Sequence, residues 1–576
     1  MNRILTITAL VFSLTILAQK TDSSIGSQVV NVVGTYTPTI SDAFKVKETP
    51  SFEEESVSEK QPINYSINSY PVASTFVPEK GKAASVEKGK KDKFFNNYAS
   101  LGFGNYGTLL GELYVTHNFD SNRYLGAFLR HHSSQGGLKD VILDDFFYDT
   151  SIDLTYAEQQ KEYSWNGDIG FQNQVYNYYG LPLGIFDDTT IKSIDEQQTY
   201  NSFYLGGKLL MNESIFNGAE VFYKHFSDAF NSKENRFWVK PTFDVEIAAT
   251  KVKVDVVADY VGTNFDTDYF ANVGEIKSSY FNLGVQPSFI YQKEDLAVKI
   301  GVGLFYSMGK FMDDTDNKLF FYPQAQASYN VVGDLMIAYA GLEGSLHQNS
   351  YADFVSENPF ISPTQMIAPT EKQYDLYVGL KGKLANNVAY NIRGSYASEK
   401  GKPLFVSNST DAIANTEGYA FGNSLSVMYD KVQTVSFFGE LKTDITKTIS
   451  ANLNATFNSY NTDTQEEAWH LPSLKFGAGV EAAVTEKLSI GTNIYYVGER
   501  KALDFITDEV TTQLTPTTVN LDGYLDVNLE ITYNYNDRLS LFLKGHNLAD
   551  KQYERWLNYP VQGIQILAGA SYKFDF

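Results

Sequence analysis

The chain has 576 residues, no cysteine and a formal net charge of −22. An acid excess of this size excludes the electrostatics of nucleic-acid binding, which needs Lys and Arg against phosphate. The lack of cysteine excludes a disulfide framework, thiolate metal sites and a lipoprotein anchor. Aromatic residues make up 15%, with 40 Tyr and 40 Phe, which suits long strands and membrane-interface girdles. The mean hydropathy of −0.26 is too mild for a helical membrane protein but fits strands that alternate lipid-facing and lumen-facing residues.

Residues 1–18 read as a secretory signal peptide. Arg3 supplies the positive end, Ile4 to Leu17 the apolar run, and Ile16-Leu17-Ala18 the cleavage site before Gln19. The run is shorter than the ~20 residues of a spanning helix, and no later segment reaches that length. The mature chain is therefore expected to be exported without a transmembrane helix.

Residues 19–93 are poor in aromatics and rich in Ser, Glu, Lys and Pro, ending in a lysine-rich stretch from Lys80 to Lys93. The composition predicts an extended or disordered segment. One β-prone stretch, Val29 to Pro38, stands out, with Val29, Val30, Val32 and Val33 as candidates for pairing with another surface.

From Phe94 to Phe576 the pattern is strands and turns. Ten short polar turns recur, at 119–122, 159–161, 212–218, 248–250, 293–295, 332–334, 385–387, 446–448, 485–487 and 536–538. Longer loops lie between them, at 135–149, 182–196, 262–275, 347–371, 462–472 and 502–521. Short turns on one rim and long loops on the other are the pattern of an outer-membrane barrel.

Several strands alternate cleanly. Leu525, Val527, Leu529, Ile531 and Tyr533 oppose Asp526, Asn528, Glu530, Thr532 and Asn534. Ile449, Ala451, Leu453 and Ala455 oppose Ser450, Asn452, Asn454 and Thr456. Asp526, Asn528, Glu530, Asn452 and Asn454 are thus the candidate lumen-facing polar residues. The last strand puts Ile566, Ala568, Ala570, Tyr572, Phe574 and Phe576 on one face, with Tyr572, Phe574 and Phe576 as the candidate barrel-assembly signal. Strands of about 10–16 residues exceed the usual ~5–6 of soluble sheets and match the ~9–11 of a tilted membrane strand. Ten turns imply eleven hairpins, hence an all-β fold: a transmembrane antiparallel β-barrel of about 22 strands behind a short, mostly irregular N-terminal segment.

Motifs for chemistry are few. Gly102 to Gly107 matches the dinucleotide fingerprint, but Leu109 to His117 reads as a strand where that site needs a helix, so a tight hairpin is expected. His131 and His132 are adjacent on a strand and face opposite ways. The acidic loops Asp313–Asn317 and Asp266–Asp268 are oxygen-rich candidates for weak calcium binding, though neither has the glycine and closing Glu of a calcium loop. No nucleophile elbow, zinc motif or paired-carboxylate context is present, so no enzyme, cofactor or resident metal is expected. The acid excess suggests a lumen that tolerates cations and repels anions.

The segments Leu101-Gly102-Phe103-Gly104-Asn105-Tyr106, Gly111 to Val115, Arg130 to Gly136, Tyr429 to Val432, Glu467 to His470 and Gly545 to Glu554, followed by the terminal strand, resemble the TonB-dependent receptors of Bacteroidota outer membranes. The resemblance covers Phe94 to Phe576 and implies 22 strands, matching the turn count. It also implies a lumenal plug of well over a hundred residues, where this chain has about 75 between signal and barrel. Residues 19–93 would then be a truncated plug, with Val29, Val30, Val32 and Val33 a candidate TonB-contact or lumen-pairing segment. The expected function is passage of a solute or nutrient across the outer membrane of a Gram-negative bacterium, including as a plugless passive channel. The alternative is a scaffold or accessory subunit of an outer-membrane complex with a blocked lumen. Expected partners are outer-membrane lipid and lipopolysaccharide, the barrel assembly machinery, and TonB or another outer-membrane subunit.

Overall fold

A computed structural model describes residues 94–576 other than 213, 248–249, 411–413 and 508–513. The signal peptide, the segment 19–93 and with it Val29, Val30, Val32 and Val33 lie outside the described residues.

The strands follow in chain order as β1 (Asn97–Gly104), β2 (Leu109–Asn118), β3 (Arg123–Ser134), β4 (Phe147–Gln159), β5 (Tyr163–Asn177), β6 (Gln197–Met211), β7 (Phe216–Ser227), β8 (Lys233–Ile247), β9 (Thr250–Phe265), β10 (Ile276–Lys293), β11 (Leu296–Phe311), β12 (Asp314–Val332), β13 (Met336–His347), β14 (Thr370–Ala385), β15 (Val388–Ser407), β16 (Leu425–Thr446), β17 (Ile449–Thr462), β18 (Leu474–Ala483), β19 (Leu488–Val497), β20 (Arg500–Thr507), β21 (Leu514–Leu521), β22 (Tyr524–Asn534), β23 (Leu539–His546), β24 (Glu554–Trp556), β25 (Tyr559–Pro560) and β26 (Gln565–Phe574). β20 and β21 form a separate hairpin, as do β24 and β25. The other strands make one 22-stranded sheet. Each pairs antiparallel with its neighbours, and β26 returns to β1 with Asn97 opposite Phe574 and Gly104 opposite Leu567. The sheet is therefore closed and has no free edge, which is what hydrocarbon demands of a spanning sheet.

Alternation sorts the side chains. Leu205, Ile300 and Phe321 are 52%, 57% and 68% exposed, and they stand on a large outward set of Leu, Ile, Val and Phe. A water-soluble protein does not expose an apolar surface of this extent; against lipid it is the expected exterior. On the opposite face aromatic rings lie across glycines of the next strand. Tyr204 covers Gly170 and Tyr377 covers Gly341, where an added Cβ would overlap the ring. The start of β1 at Asn97, the end of β26 at Phe574 and the short turns share one rim, the periplasmic one by barrel rule.

Breaks between successive strands fall at all ten positions read as short turns. The long connections differ in two ways. The stretch 502–521 is mostly the β20–β21 hairpin, held by Arg500 opposite Leu521 through Thr507 opposite Leu514. The acidic stretch Asp313–Asn317 is not a loop: Asp314 to Asn317 pair with Phe311 to Met308, leaving Met312 and Asp313 as the turn. Strand pairing takes the backbone that a calcium loop would need. Two large connections, 408–424 and 547–564, went unread in the sequence.

Candidate functional site

Parts of several long connections turn inward rather than splay into solvent. They fold over the extracellular mouth and pack into a cap. Its core contains Tyr200 of β6, Phe226 of β7 and Phe265 of β9. It continues through Tyr351, Phe354, Val355, Ile361 and Ile367 of the 348–369 connection. It ends on Phe405 of β15, Leu425 and Val427 of β16, and Trp556 and Tyr559 of the 547–564 connection. β6 and β16 are ten strands apart in a ring of 22, so nearly opposite walls are joined by one buried core.

The 348–369 connection enters as a short helix, Tyr351–Glu357, capped by Ser350 accepting from Asp353 N–H. The barrel wall supplies its anchor. Glu234 accepts from the backbone N–H groups of Tyr351 at 2.6 Å and Ala352 at 3.2 Å. Arg236 bridges Asp259 at 3.1 Å and Asp353 at 2.7 Å. Asp228 accepts from Tyr351 Oη at 2.8 Å, and burial pushes its carboxyl up to about 6. Farther along, Tyr178 and Tyr200 donate to the carbonyls of Ile361 and Pro359, both at 2.8 Å.

Tyr559 sits at the centre. Its ring stacks on Phe360 at 3.9 Å and meets Tyr179 edge-on at 4.9 Å, and its hydroxyl donates to the Asn423 carbonyl. Gly180 makes room for it, since a Cβ there would overlap the Tyr559 ring. Asn423 in turn donates to the carbonyls of Tyr178 and Gly418, both at 2.8 Å. Four connections, 178–196, 348–369, 408–424 and the one that carries Tyr559, thus meet at one ring.

Two further residues fix the 547–564 connection. Buried Arg500 donates to the carbonyls of Arg555 at 2.6 Å and Glu554 at 2.7 Å. Buried His470 meets the Phe405 carbonyl at 2.9 Å through Nδ1 and the Leu557 N–H at 3.4 Å through Nε2, while its ring lies 5.2 Å from Trp556. Donor at Nδ1 and acceptor at Nε2 is a neutral tautomer. Burial accordingly lowers its pKa to about 4.

His470 belongs to a segment that carries the family resemblance, while the candidate lumen and terminal-strand residues lie elsewhere. Asp526 accepts from Tyr553 at 3.0 Å, Asn528 contacts His546 at 3.1 Å, and Glu530 pairs with Lys544 at 3.3 Å. Asn452 and Asn454 stand opposite Gly479 and Gly477. Tyr572 and Phe574 are 6.3 Å apart, and Phe574 and Phe576 5.6 Å, on the strand that closes the barrel. His131 contacts Thr150 at 2.8 Å while His132 packs on Phe147 at 5.1 Å, so the two do not converge. Among the described residues no three His, Asp or Glu gather as a metal site. The cap was hidden because its members are spread over hundreds of residues. The available hint was loop composition: Tyr176 to Gly180 and Asn358 to Pro363 are richer in aromatics and Pro than solvated loops are.

A closed 22-stranded barrel with an apolar exterior and long extracellular connections is an outer-membrane protein. Its fold is that of the TonB-dependent receptors. No protein-family model and no curated protein sequence matches the chain. Among solved structures, it is similar to the ferripyoverdine receptor of the outer membrane of Pseudomonas aeruginosa, at 12% identity and a TM-score of 0.61 over 84% of this chain and 72% of that one. It is also similar to the FrpB iron transporter from Neisseria meningitidis, at 11% identity and a TM-score of 0.63 over 84% and 82%. The siderophore receptor PirA from Acinetobacter baumannii aligns at 11% identity and 0.59 over 84% and 81%. At such identities the likeness is one of fold.

Proposed function

We propose that the protein is an outer-membrane receptor or transporter whose lumen is gated at the extracellular mouth by its own loops. The observation that carries this is the single core joining β6, β7 and β9 to β15 and β16 across the opening. A standing passive pore needs an unobstructed mouth, so the cap favours gated passage over a plugless open channel. The printed names of the similar structures, an iron transporter and siderophore receptors, support solute uptake as the class.

In this reading residues 1–18 are cleaved on export and 19–93 serve as an abbreviated plug, with Val29, Val30, Val32 and Val33 contacting TonB or the lumen. Asp526, Asn528, Glu530, Asn452 and Asn454 wet the lumenal wall. Tyr572, Phe574 and Phe576 are read by the assembly machinery. The same cap also favours a second reading, a scaffold subunit of an outer-membrane complex with a blocked lumen.

The test is cell permeability. Cells producing a variant in which 348–369 is replaced by a short Gly-Ser linker, without residues 19–93, are expected to become sensitive to a large hydrophilic antibiotic. Cells with the intact cap stay resistant. No leak after loop removal, together with a stoichiometric co-purifying subunit, would move the scaffold reading ahead.

A further inference from the structure

The charge of the chain is concentrated at one end. Among the described residues, the eleven connections on the extracellular side hold 23 Asp and Glu against 6 Lys and Arg, which is most of the net charge of −22. Within this field lies an apolar patch. The connections 135–146 and 178–196 share a small core of Leu143, Leu181 and Ile194, with Phe186, Ile191 and Phe421 packed against it. The two are tied by the Asp144 N–H donating to Glu196 at 3.0 Å. Flanking that core, Ile142, Leu183 and Ile185 are 52%, 62% and 53% exposed. Exposed on the same two connections are Asp140, Asp144, Asp188 and Asp195, none of which makes an ion pair among the described residues; with Lys139 and Lys192 also exposed there, the two connections keep seven carboxylates against two lysines.

Exposed aliphatics on connections that also carry an excess of carboxylates outside any ion pair are a binding surface in the making. Lipid does not explain them: the patch is on the extracellular connections, and lipopolysaccharide is itself anionic. A second copy would bring the same excess of carboxylates to the interface and be repelled. We propose that this face docks a cationic amphipathic polypeptide segment of a partner protein. Its apolar side would cover Ile142, Leu183 and Ile185, and its Lys and Arg would meet Asp140, Asp144, Asp188 and Asp195. The field of the whole face steers such a segment in, which makes association fast and salt-sensitive. This docking is independent of whether the lumen conducts.

The test uses the full chain in nanodiscs of zwitterionic phospholipid and fluorescence anisotropy. Three short labelled peptides serve as probes: an amphipathic Leu/Lys helix, a Ser/Lys peptide of equal charge, and a Leu/Glu helix. The Leu/Lys peptide is expected to bind about tenfold or more tighter than the Ser/Lys peptide, and the Leu/Glu helix not at all. Leu183→Ser with Ile185→Ser should remove that preference. Asp140→Asn with Asp188→Asn and Asp195→Asn should flatten the salt dependence. These side chains are exposed, so the variants keep the barrel, checked by heat-modifiable migration on gels. Equal binding of the Leu/Lys and Ser/Lys peptides, or unchanged binding by the Leu183/Ile185 variant, overturns the proposal. So does saturable lipopolysaccharide binding or self-association that the same variant loses.

Discussion

Tyr559→Ala separates cap from barrel more sharply than any other single change. Tyr559 is buried, yet it belongs to the β24–β25 hairpin and makes no barrel ladder bond. Its removal deletes the stack on Phe360, the edge contact with Tyr179 and the donor to the Asn423 carbonyl. Truncating a large buried aromatic costs about 3–5 kcal/mol, and each ~1.4 kcal/mol is a tenfold change in an equilibrium. Opening of the cap should therefore become more frequent by a factor on the order of 10³. Tyr559→Phe keeps the rings and loses only the hydroxyl, so its cost is about 1–3 kcal/mol, set by the buried carbonyl left unpaired. Hydrogen exchange followed by mass spectrometry reads both. Peptides covering 178–182, 358–363 and 418–425 should lose protection strongly in the Ala variant and weakly in the Phe variant. Peptides from β10 to β12 should be unchanged. Unchanged protection of the three cap peptides in Tyr559→Ala, or equal loss in β10 to β12, would refute the reasoning.

Gly180→Ala should open the cap nearly as far, because its Cβ would overlap the ring of Tyr559, which is buried and cannot swing away; the same exchange measurement checks it. Arg500→Met should free the 547–564 connection at a cost of about 2–3 kcal/mol, since the carbonyls of Glu554 and Arg555 lose a charged donor, seen as faster proteolysis within 547–564 and none in the barrel. His470 has its pKa lowered to about 4, so its contribution is complete above its ordinary value near 6.5 and is lost as pH falls toward 4. Asp228, pushed up to about 6, drifts the other way: the folded form gains as pH falls through 6. The difference in cap protection between wild type and His470→Gln should therefore shrink by about 3 kcal/mol between pH 7 and pH 4, whereas a pH-independent difference would remove His470 as the cause. Any conductance of a cap-opened variant should favour K⁺ over Cl⁻ at low salt, given the carboxylates at the mouth; anion preference in a planar bilayer would contradict it.

The barrel was readable because its physics is local. A period of two, as in Leu525 to Asn534, and a turn such as Asn536 to Arg538 are visible within a dozen residues, and repeating them fixes strand number. The Asp313–Asn317 stretch misled because polar strands that extend beyond the membrane look like loops: above the hydrocarbon nothing forces an outward residue to be apolar. The β20–β21 hairpin was missed for the same reason. The cap was unreadable because its bonds join distant segments, such as Tyr179 to Pro560 or Tyr178 to Ile361. No sequence period marks such a meeting. Trp469 and His470 were noticed as a family-like motif, but their role depends on Trp556 and Leu557 arriving beside them.

The most direct test of the gated mouth is single-channel conductance in a planar bilayer of the barrel lacking residues 19–93, with and without the 348–369 connection. A gated mouth predicts no steady conductance while that connection is intact and large steps once it is replaced by a linker. Large, steady conductance of the barrel with its cap intact would contradict the account.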